Sequence, residues 1–390
     1  MRLSCYYRKE LGVKAFKETC FVIGFLFLLG CTSNDNGDLV RSFSDLNETT
    51  PGCAVGIIKN NRFLYEGYFG QSNLKYNIPI DKKTVFNIGS NSKHITASLV
   101  LLLESEGKLS RSDSLEKYYQ DGPDWFKDIT LYHLLHHQSG LPDYINDIET
   151  RNGVIRQLVN ESELASGLTI GQPIPKDTVT TAVVNWMKGL DSPIFKSGSL
   201  AIYSNTGYLL LADIVEKASG VEFNKLAEDR LFKPLGMEST TIHGKLNGEI
   251  KWSATGYIDF GDGVYRPTEN NIVTQGTSGV KTTLSDYAKW ISHLMTPKTD
   301  KELWVSFLNP DDPVYGKAPT WKSGLQHYSN GLVIFRTNKG SSYTHGGLSI
   351  DGMASDFWFS PKLKLGYIQL CNFNTTRRVD ILALAEQYGG

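Results

Sequence analysis

The sequence predicts an α+β protein whose sheet is built from both ends of the chain, with a helical region inserted between them. Three observations carry this reading. Runs of β-branched and aromatic residues bounded by turn signals stand near both termini. Helical spacing of apolar residues fills the middle. The first thirty residues are a different material and do not belong to the fold. At 390 residues the chain has room for one large domain or two modest ones. Its 40% hydrophobic, 21% charged and 11% aromatic content excludes a disordered or fibrous protein.

The leader comes first. Arg2, Arg8, Lys9, Lys14 and Lys17 form a basic start against Glu10 and Glu18, and an apolar run follows from Cys20 to Gly30. As a helix that run rises about 16 Å, too little for the ~30 Å hydrocarbon core of a bilayer. The pattern reads as an export signal over residues 1–30, with a short membrane anchor as the alternative. The run ends Leu28-Leu29-Gly30-Cys31, which resembles a bacterial lipobox. That resemblance implies cleavage before Cys31 and lipid on its sulfur and new N-terminus, which is more than stable anchoring requires. The expected location is therefore a bacterial cell envelope, on a membrane, facing the periplasm or exterior. Residues 31–50 read as a polar tether, although Leu39, Val40, Phe43 and Leu46 have roughly helical spacing. The folded body is expected over 51–390.

Within that body, Cys53 to Lys59 and Phe63 to Phe69 flank the turn Asn60-Asn61 and predict a hairpin. Met353 to Phe359 and Leu365 to Phe373, separated by Pro361-Lys362-Leu363-Lys364, predict another. Helices are expected over Lys93–Glu106, Thr130–His137, Thr181–Lys188, Gly207–Ser219, Val221–Leu231, Leu284–Met295 and Val379–Gln387. The helical insert spans roughly 105–280. A net charge of −1 gives no basic surplus for nucleic acid. No phosphate-binding glycine motif occurs.

The search for chemistry begins with metal. His133, His136 and His137 share a helix, but no Glu completes an H-E-x-x-H motif and Gly140 and Pro142 follow at once, so a structural role is expected. The G-x-S-x-G elbow is absent. S-x-x-K occurs at Ser72-Lys75, Ser90-Lys93, Ser105-Lys108 and Ser114-Lys117. Context separates them. Ser90 opens a helix with an apolar body, where its N–H is an unpaired donor able to hold an oxyanion. Lys93 lies one turn on, and burial lets a lysine lose its charge. By itself the motif reads equally well as a helix cap beside a solvated lysine. A proton shuttle is needed from elsewhere. Y-x-N occurs at Tyr144-Asn146, Tyr203-Asn205 and Tyr328-Asn330. Tyr203 precedes a helix on a polar loop, whereas Tyr328 runs into a strand and is expected to be packed. Finally, His345-Gly346-Gly347 ends a strand-like stretch where glycines admit close approach, and the N–H of Leu348 could be a second oxyanion donor.

Ser90-Asn91-Ser92-Lys93, Tyr203-Ser204-Asn205 and His345-Gly346-Gly347 resemble, in order, the three active-site motifs of serine β-lactamases and penicillin-binding proteins. Ile129 to Tyr144, Phe232 to Met237 and Gly276 to Asp286 resemble the class C β-lactamase-like branch, which includes esterases and D-aminopeptidase-like members. The likeness covers about Pro51 to Asn374. It implies an antiparallel five-stranded sheet flanked by helices, with an inserted all-helical region. It also implies an acyl-enzyme on Ser90, proton transfer by Lys93 and Tyr203, and substrate positioning by Asn205, His345, Gly346 and Gly347. Ser90 and Leu348 N–H groups would hold the oxyanion, and no metal or organic cofactor is required.

The third motif departs from the usual Lys-Thr-Gly. A histidine of ordinary pKa is mostly neutral at pH 7, so a fixed cation for a substrate carboxylate is lost. The expected substrate is a small ester, amide or peptide. A β-lactamase or D-alanyl-D-alanine carboxypeptidase is the alternative, and a non-catalytic binding lipoprotein of the same fold a further one. Two cysteines, Cys53 and Cys371, remain after Cys31 is set aside as the lipid site. The implied fold makes their strands antiparallel neighbours, with Cα atoms within about 8 Å. Whether they are bonded or buried as thiols stays open.

Overall fold

The computed structural model describes residues 37–145, 176–242, 250–268, 274–297, 301–308, 326–337, 340–375, 377 and 379–388. The leader, Cys31 and Asn146 lie outside these. The main sheet comprises β1 (Cys53–Lys59), β2 (Arg62–Phe69), β3 (Gln326–Ser329), β4 (Leu332–Thr337), β5 (Gly340–Leu348), β6 (Ala354–Ser360) and β7 (Leu365–Cys371). Its order is β3-β4-β5-β6-β7-β1-β2, antiparallel throughout. Both chain ends supply strands, as expected, and the class is α+β. The sheet has seven strands where five were expected. The short polar β3, Gln326 to Ser329, shows no apolar alternation. It is held in register by an Asn330-Gly331 turn, both residues at positive φ, which is the favoured two-residue hairpin link. Asn60-Asn61 does the same between β1 and β2.

The principal helices are α1 (Gly37–Arg41), α2 (Lys93–Ser105), α3 (Leu131–Leu135), α4 (Lys176–Lys188), α5 (Asn205–Ser219), α6 (Leu284–Met295), α7 (Lys301–Leu308) and α8 (Ile381–Tyr388). On one sheet face α2, α5 and α6 build the larger core. Nearly every residue of α2 is buried, the polar Lys93, His94, Thr96 and Ser98 included, so this helix is enclosed on all sides. On the other face Leu39, Phe43 and Leu46 join Val55, Ile57, Trp358, Tyr367, Leu384 and Tyr388 in a second core. This corrects the tether. From α1 onward the segment is part of the body, because its helically spaced apolar residues cover β1 and Arg377 pairs with Asp45. The insert is not all helical either. Thr241–Ile242, Val280–Thr282 and Phe86–Asn87 form a small sheet, and Gly256–Asp259 pairs with Tyr265–Thr268. The turn residues Gly261, Asp262 and Gly263, all at positive φ, mark that second hairpin.

Cys53 and Cys371 face each other in register and are bonded, with Cα atoms 4.1 Å apart. The link closes the first main strand onto the last, a sequence separation of 318. Mass spectrometry of unreduced protein is expected to find neither thiol free. Replacing both cysteines by serine is expected to lower unfolding free energy by roughly 3–5 kcal/mol, read as a shift in denaturant midpoint. A free thiol at either position, or an unmoved midpoint, would contradict the link.

Candidate active site

The strand Phe86–Asn87 runs into a 3-10 turn, Gly89–Ser92, which passes directly into α2. Ser90 sits on that turn with its side chain partly open to a cleft. Lys93 is the first residue of α2 and is 0% exposed. Its Nζ lies 3.1 Å from Ser90 Oγ, 2.8 Å from Asn205 Oδ1 and 2.9 Å from the Thr277 carbonyl oxygen. Burial pulls Lys93 down to about 7, opposed by the charge of Asp143. Asn205 Oδ1 and Thr277 O can only accept, so each takes an Nζ hydrogen in either protonation state. The ammonium gives its third hydrogen to Ser90 Oγ, and the neutral amine offers its lone pair there instead.

Tyr203 donates to Ser90 Oγ at 2.9 Å. Burial pushes its hydroxyl far above the usual phenol range, so it stays protonated. The Tyr203 ring also lies 4.9 Å below the Lys93 nitrogen. Asn205 begins α5, and its Nδ2 donates to the Asp143 carboxylate at 2.9 and 3.2 Å. That bond fixes which way the amide faces. Asn205 therefore holds Lys93 and also lines the cleft beside Ser90. Asp143 lies in the Ile129–Tyr144 stretch, but nothing in that stretch marks it as the partner of Asn205.

His345 lies on β5 on the same cleft. Its Nδ1 donates to the Gly346 carbonyl at 2.6 Å, because a carbonyl only accepts. Its Nε2 then accepts from the Tyr328 hydroxyl at 3.2 Å. Burial, with help from the nearby Lys93 charge, lowers His345 to about 4. The ring is neutral at pH 7 and both nitrogens are occupied. Tyr203 is the tyrosine on Ser90, but Tyr328 is not merely packed: it is the partner of His345. The turn Asn330-Gly331, which places Tyr328, was the overlooked signal.

Gly347 has no room for a side chain, since a Cβ there would stand 2.1 Å from the Ile88 carbonyl oxygen. The strand thus runs hard against the segment before Ser90. A Cβ on Gly89 (φ +51°) would stand 2.9 Å from the Leu348 nitrogen. Ser349 N–H donates to Met353 O, so 349 and 353 form a hydrogen-bonded pair and the Leu348 N–H points away from β6. There β4 has already ended, its last partner on β5 being Thr344. The Leu348 backbone thus stands against Gly89, next to Ser90, and both Ser90 and Leu348 line the cleft. The cleft, of about 1190 Å³, is lined here by Ser90, Tyr203, Asn205, Tyr328, His345 and Leu348.

Of the three clustered histidines, His133 caps α3 with Thr130, and His136 bonds the Tyr132 carbonyl. His137 lies 4.4 Å from the rings of both Tyr203 and Tyr328 and accepts from Ser204 N–H. Among the described residues no group of three or more His, Cys, Asp or Glu is placed to hold a metal ion.

A family model described as Beta-lactamase matches residues 39–388. Penicillin-binding protein 4* of Bacillus subtilis is 32% identical over 206 residues, covering 50% of this chain and 39% of that protein. D-aminopeptidase of Gluconobacter oxydans is 26% identical over 244 residues, covering 62% and 41%. The chain thus spans about two fifths of the length of these two relatives. The octameric penicillin-binding protein homologue from Pyrococcus abyssi superposes with a TM-score of 0.72 at 25% identity, over 90% of this chain and 76% of that one.

The state of Lys93 sets a pH dependence for Ser90. Below about pH 7 the amine is protonated and its lone pair is gone; above it the lone pair is available. Phosphonylation of Ser90 is expected to rise about tenfold per pH unit up to about 7 and then level off. Tyr203→Phe is expected to slow it about 10²-fold without moving that midpoint. A rate flat from about pH 5 to 9 would exclude Lys93 as the base.

Proposed function

The chain belongs to the beta-lactamase family, and on that premise we propose that it is a lipid-anchored serine hydrolase that cleaves neutral esters or small amides through an acyl-enzyme on Ser90. The carrying observation is the buried Lys93 Nζ within hydrogen-bond reach of Ser90 Oγ and held by the Asn205 and Thr277 oxygens.

The steps follow from that arrangement. The Ser90 hydroxyl proton passes to Lys93 as Oγ bonds to the substrate carbonyl carbon. The oxyanion is held by the N–H groups of Ser90 and Leu348, each donor worth about 3–4 kcal/mol. The bond to the leaving group breaks as that group takes the Tyr203 proton, and Lys93 returns a proton to Tyr203. Water then attacks the acyl carbon. Its proton goes to Tyr203 while the Tyr203 proton moves to the departing Ser90 Oγ. Serine and a free acid result.

The substrate class rests on His345 and the rim. A neutral imidazole with both nitrogens occupied offers no charge to a carboxylate. Among the described residues lining the cleft the one guanidinium or ammonium is Arg377, which is paired with Asp45. Leu348, 63% exposed, and the exposed Ile350 put apolar side chains on the lining of the cleft. An uncharged acyl group with apolar bulk suits this better than a penicillin or a peptide ending in a carboxylate. The D-aminopeptidase relative adds small amino-acid amides to the classes worth assaying. Anchoring rests on the basic, apolar leader that ends at Cys31.

A fluorophosphonate probe is expected to label the protein, and Ser90→Ala to abolish labelling. Wild-type protein that the probe does not label would leave a binding lipoprotein, and labelling that survives Ser90→Ala would exclude Ser90 as the nucleophile. A p-nitrophenyl ester is expected to turn over faster than a chromogenic cephalosporin, and the reverse order would favour a β-lactamase. In cells, a fatty-acid analogue is expected to mark the wild type and not Cys31→Ser. Equal marking would exclude lipidation at Cys31.

A further inference from the structure

The oxyanion donors belong to two separate segments: Ser90 on a short 3-10 turn and Leu348 at the exposed end of a strand. Their spacing decides how well a developing negative charge is held, and a small displacement weakens each bond steeply. Side-chain bridges on both flanks tie the segments together. Before Ser90, Asn87 Oδ1 accepts from Gly89 N–H at 3.0 Å, and its Nδ2 donates to the Asp351 carboxylate at 3.2 and 3.4 Å. The same carboxylate accepts from Ser349 Oγ. After Ser90, Asn91 Nδ2 donates to Ser355 Oγ at 2.8 Å, and Ser355 Oγ donates to the Ile88 carbonyl at 2.8 Å. Asn87, Asn91, Asp351 and Ser355 are all buried. Positions 87 and 91 bracket the nucleophile; 351 and 355 follow the second donor.

On the serine-hydrolase reading above, we infer that Asn87 and Asp351 are positioning residues that set the oxyanion pair. Neither touches the reacting atoms. Asp351 is buried, and among the described residues it makes no ion pair. A carboxylate has no hydrogen to give, so every neighbour must donate to it. That forces the Asn87 amide to present Nδ2 to Asp351 and Oδ1 to Gly89. With Gly89 N–H held, the left-handed turn at Gly89 keeps one geometry and so fixes the backbone entering Ser90. An amide in place of the carboxylate could offer its own N–H to Asn87 Oδ1. The Asn87 amide would then be free to turn, and Gly89 would be released.

This logic makes the pair exchangeable. Asp351→Asn alone is expected to lower kcat about 30-fold, with KM within about twofold. Asn87→Ala is expected to do the same. The exchange Asn87→Asp with Asp351→Asn restores the pattern: a carboxylate at 87 accepts from Gly89 and from the amide at 351, which still accepts from Ser349. It is expected to return kcat to within about threefold of wild type. The midpoint near pH 7 set by Lys93 should not move in any of them. If the exchange does not fold, Ser355→Ala carries the test, with an expected tenfold loss in kcat at unchanged KM. Single variants with wild-type kcat, or with kcat lost only in proportion to folded protein, would overturn the inference. Wild-type protein that no fluorophosphonate labels would overturn the hydrolase reading beneath it; labelled wild type with variants labelled equally fast would overturn the positioning role alone.

Discussion

A lysine nitrogen taken wholly out of water is the constraint on which the site depends. Burying an ammonium costs more than most side-chain contacts return unless it is paired, and a lysine in that position sheds its proton instead. Lys93 is placed there by three segments at once. α2 carries it, the start of α5 brings the Asn205 amide, and the stretch before Val280–Thr282 brings the Thr277 carbonyl. Asp143 lies behind Asn205 and stops the amide from turning round. The negative charge there also keeps the lysine from falling further, leaving it near neutrality. Packing of the larger core and tuning of the base are therefore one problem.

The chemistry was more legible than its supports. Ser90, Lys93 and Tyr203 are short-range signals: a serine opening a helix, a lysine one turn later, a tyrosine before another helix. The structure brings them within hydrogen-bond reach. The helix Leu284–Met295 was readable because Thr283 caps it and its apolar residues repeat cleanly on one face. The two terminal hairpins were readable from alternating apolar residues and the Asn60-Asn61 turn.

What stayed hidden lies in long-range pairing. Nothing in the sequence marks Asp143 or Asp351 as a partner; each matters because folding places it against an asparagine far away in sequence. Tyr328 looked like a strand residue and is one, yet its hydroxyl reaches His345 across the β3–β4–β5 edge. Residues 37–50 look polar by composition, but three apolar side chains at helical spacing are enough to seat them on β1. The ordinary pKa assumed for His345 failed because burial, invisible in a sequence, outweighs the intrinsic basicity of the ring.

The strand order has a consequence for synthesis. β1 lies in the sheet between β2 and β7, and β7 is the last of its seven strands in chain order. Until β7 has left the ribosome, one edge of β1 has no partner, and the wall of the cleft formed by β5 and β6 has nothing to join. A nascent chain stopped short of Leu365 holds Ser90 and Lys93 but lacks the sheet that connects them to Leu348. The sheet is completed only when β1 pairs with the distant β7, and such long-range pairing slows folding. A truncated product presents an open strand edge to its neighbours. Such a chain can be delivered unfolded and whole, but it cannot become active piece by piece.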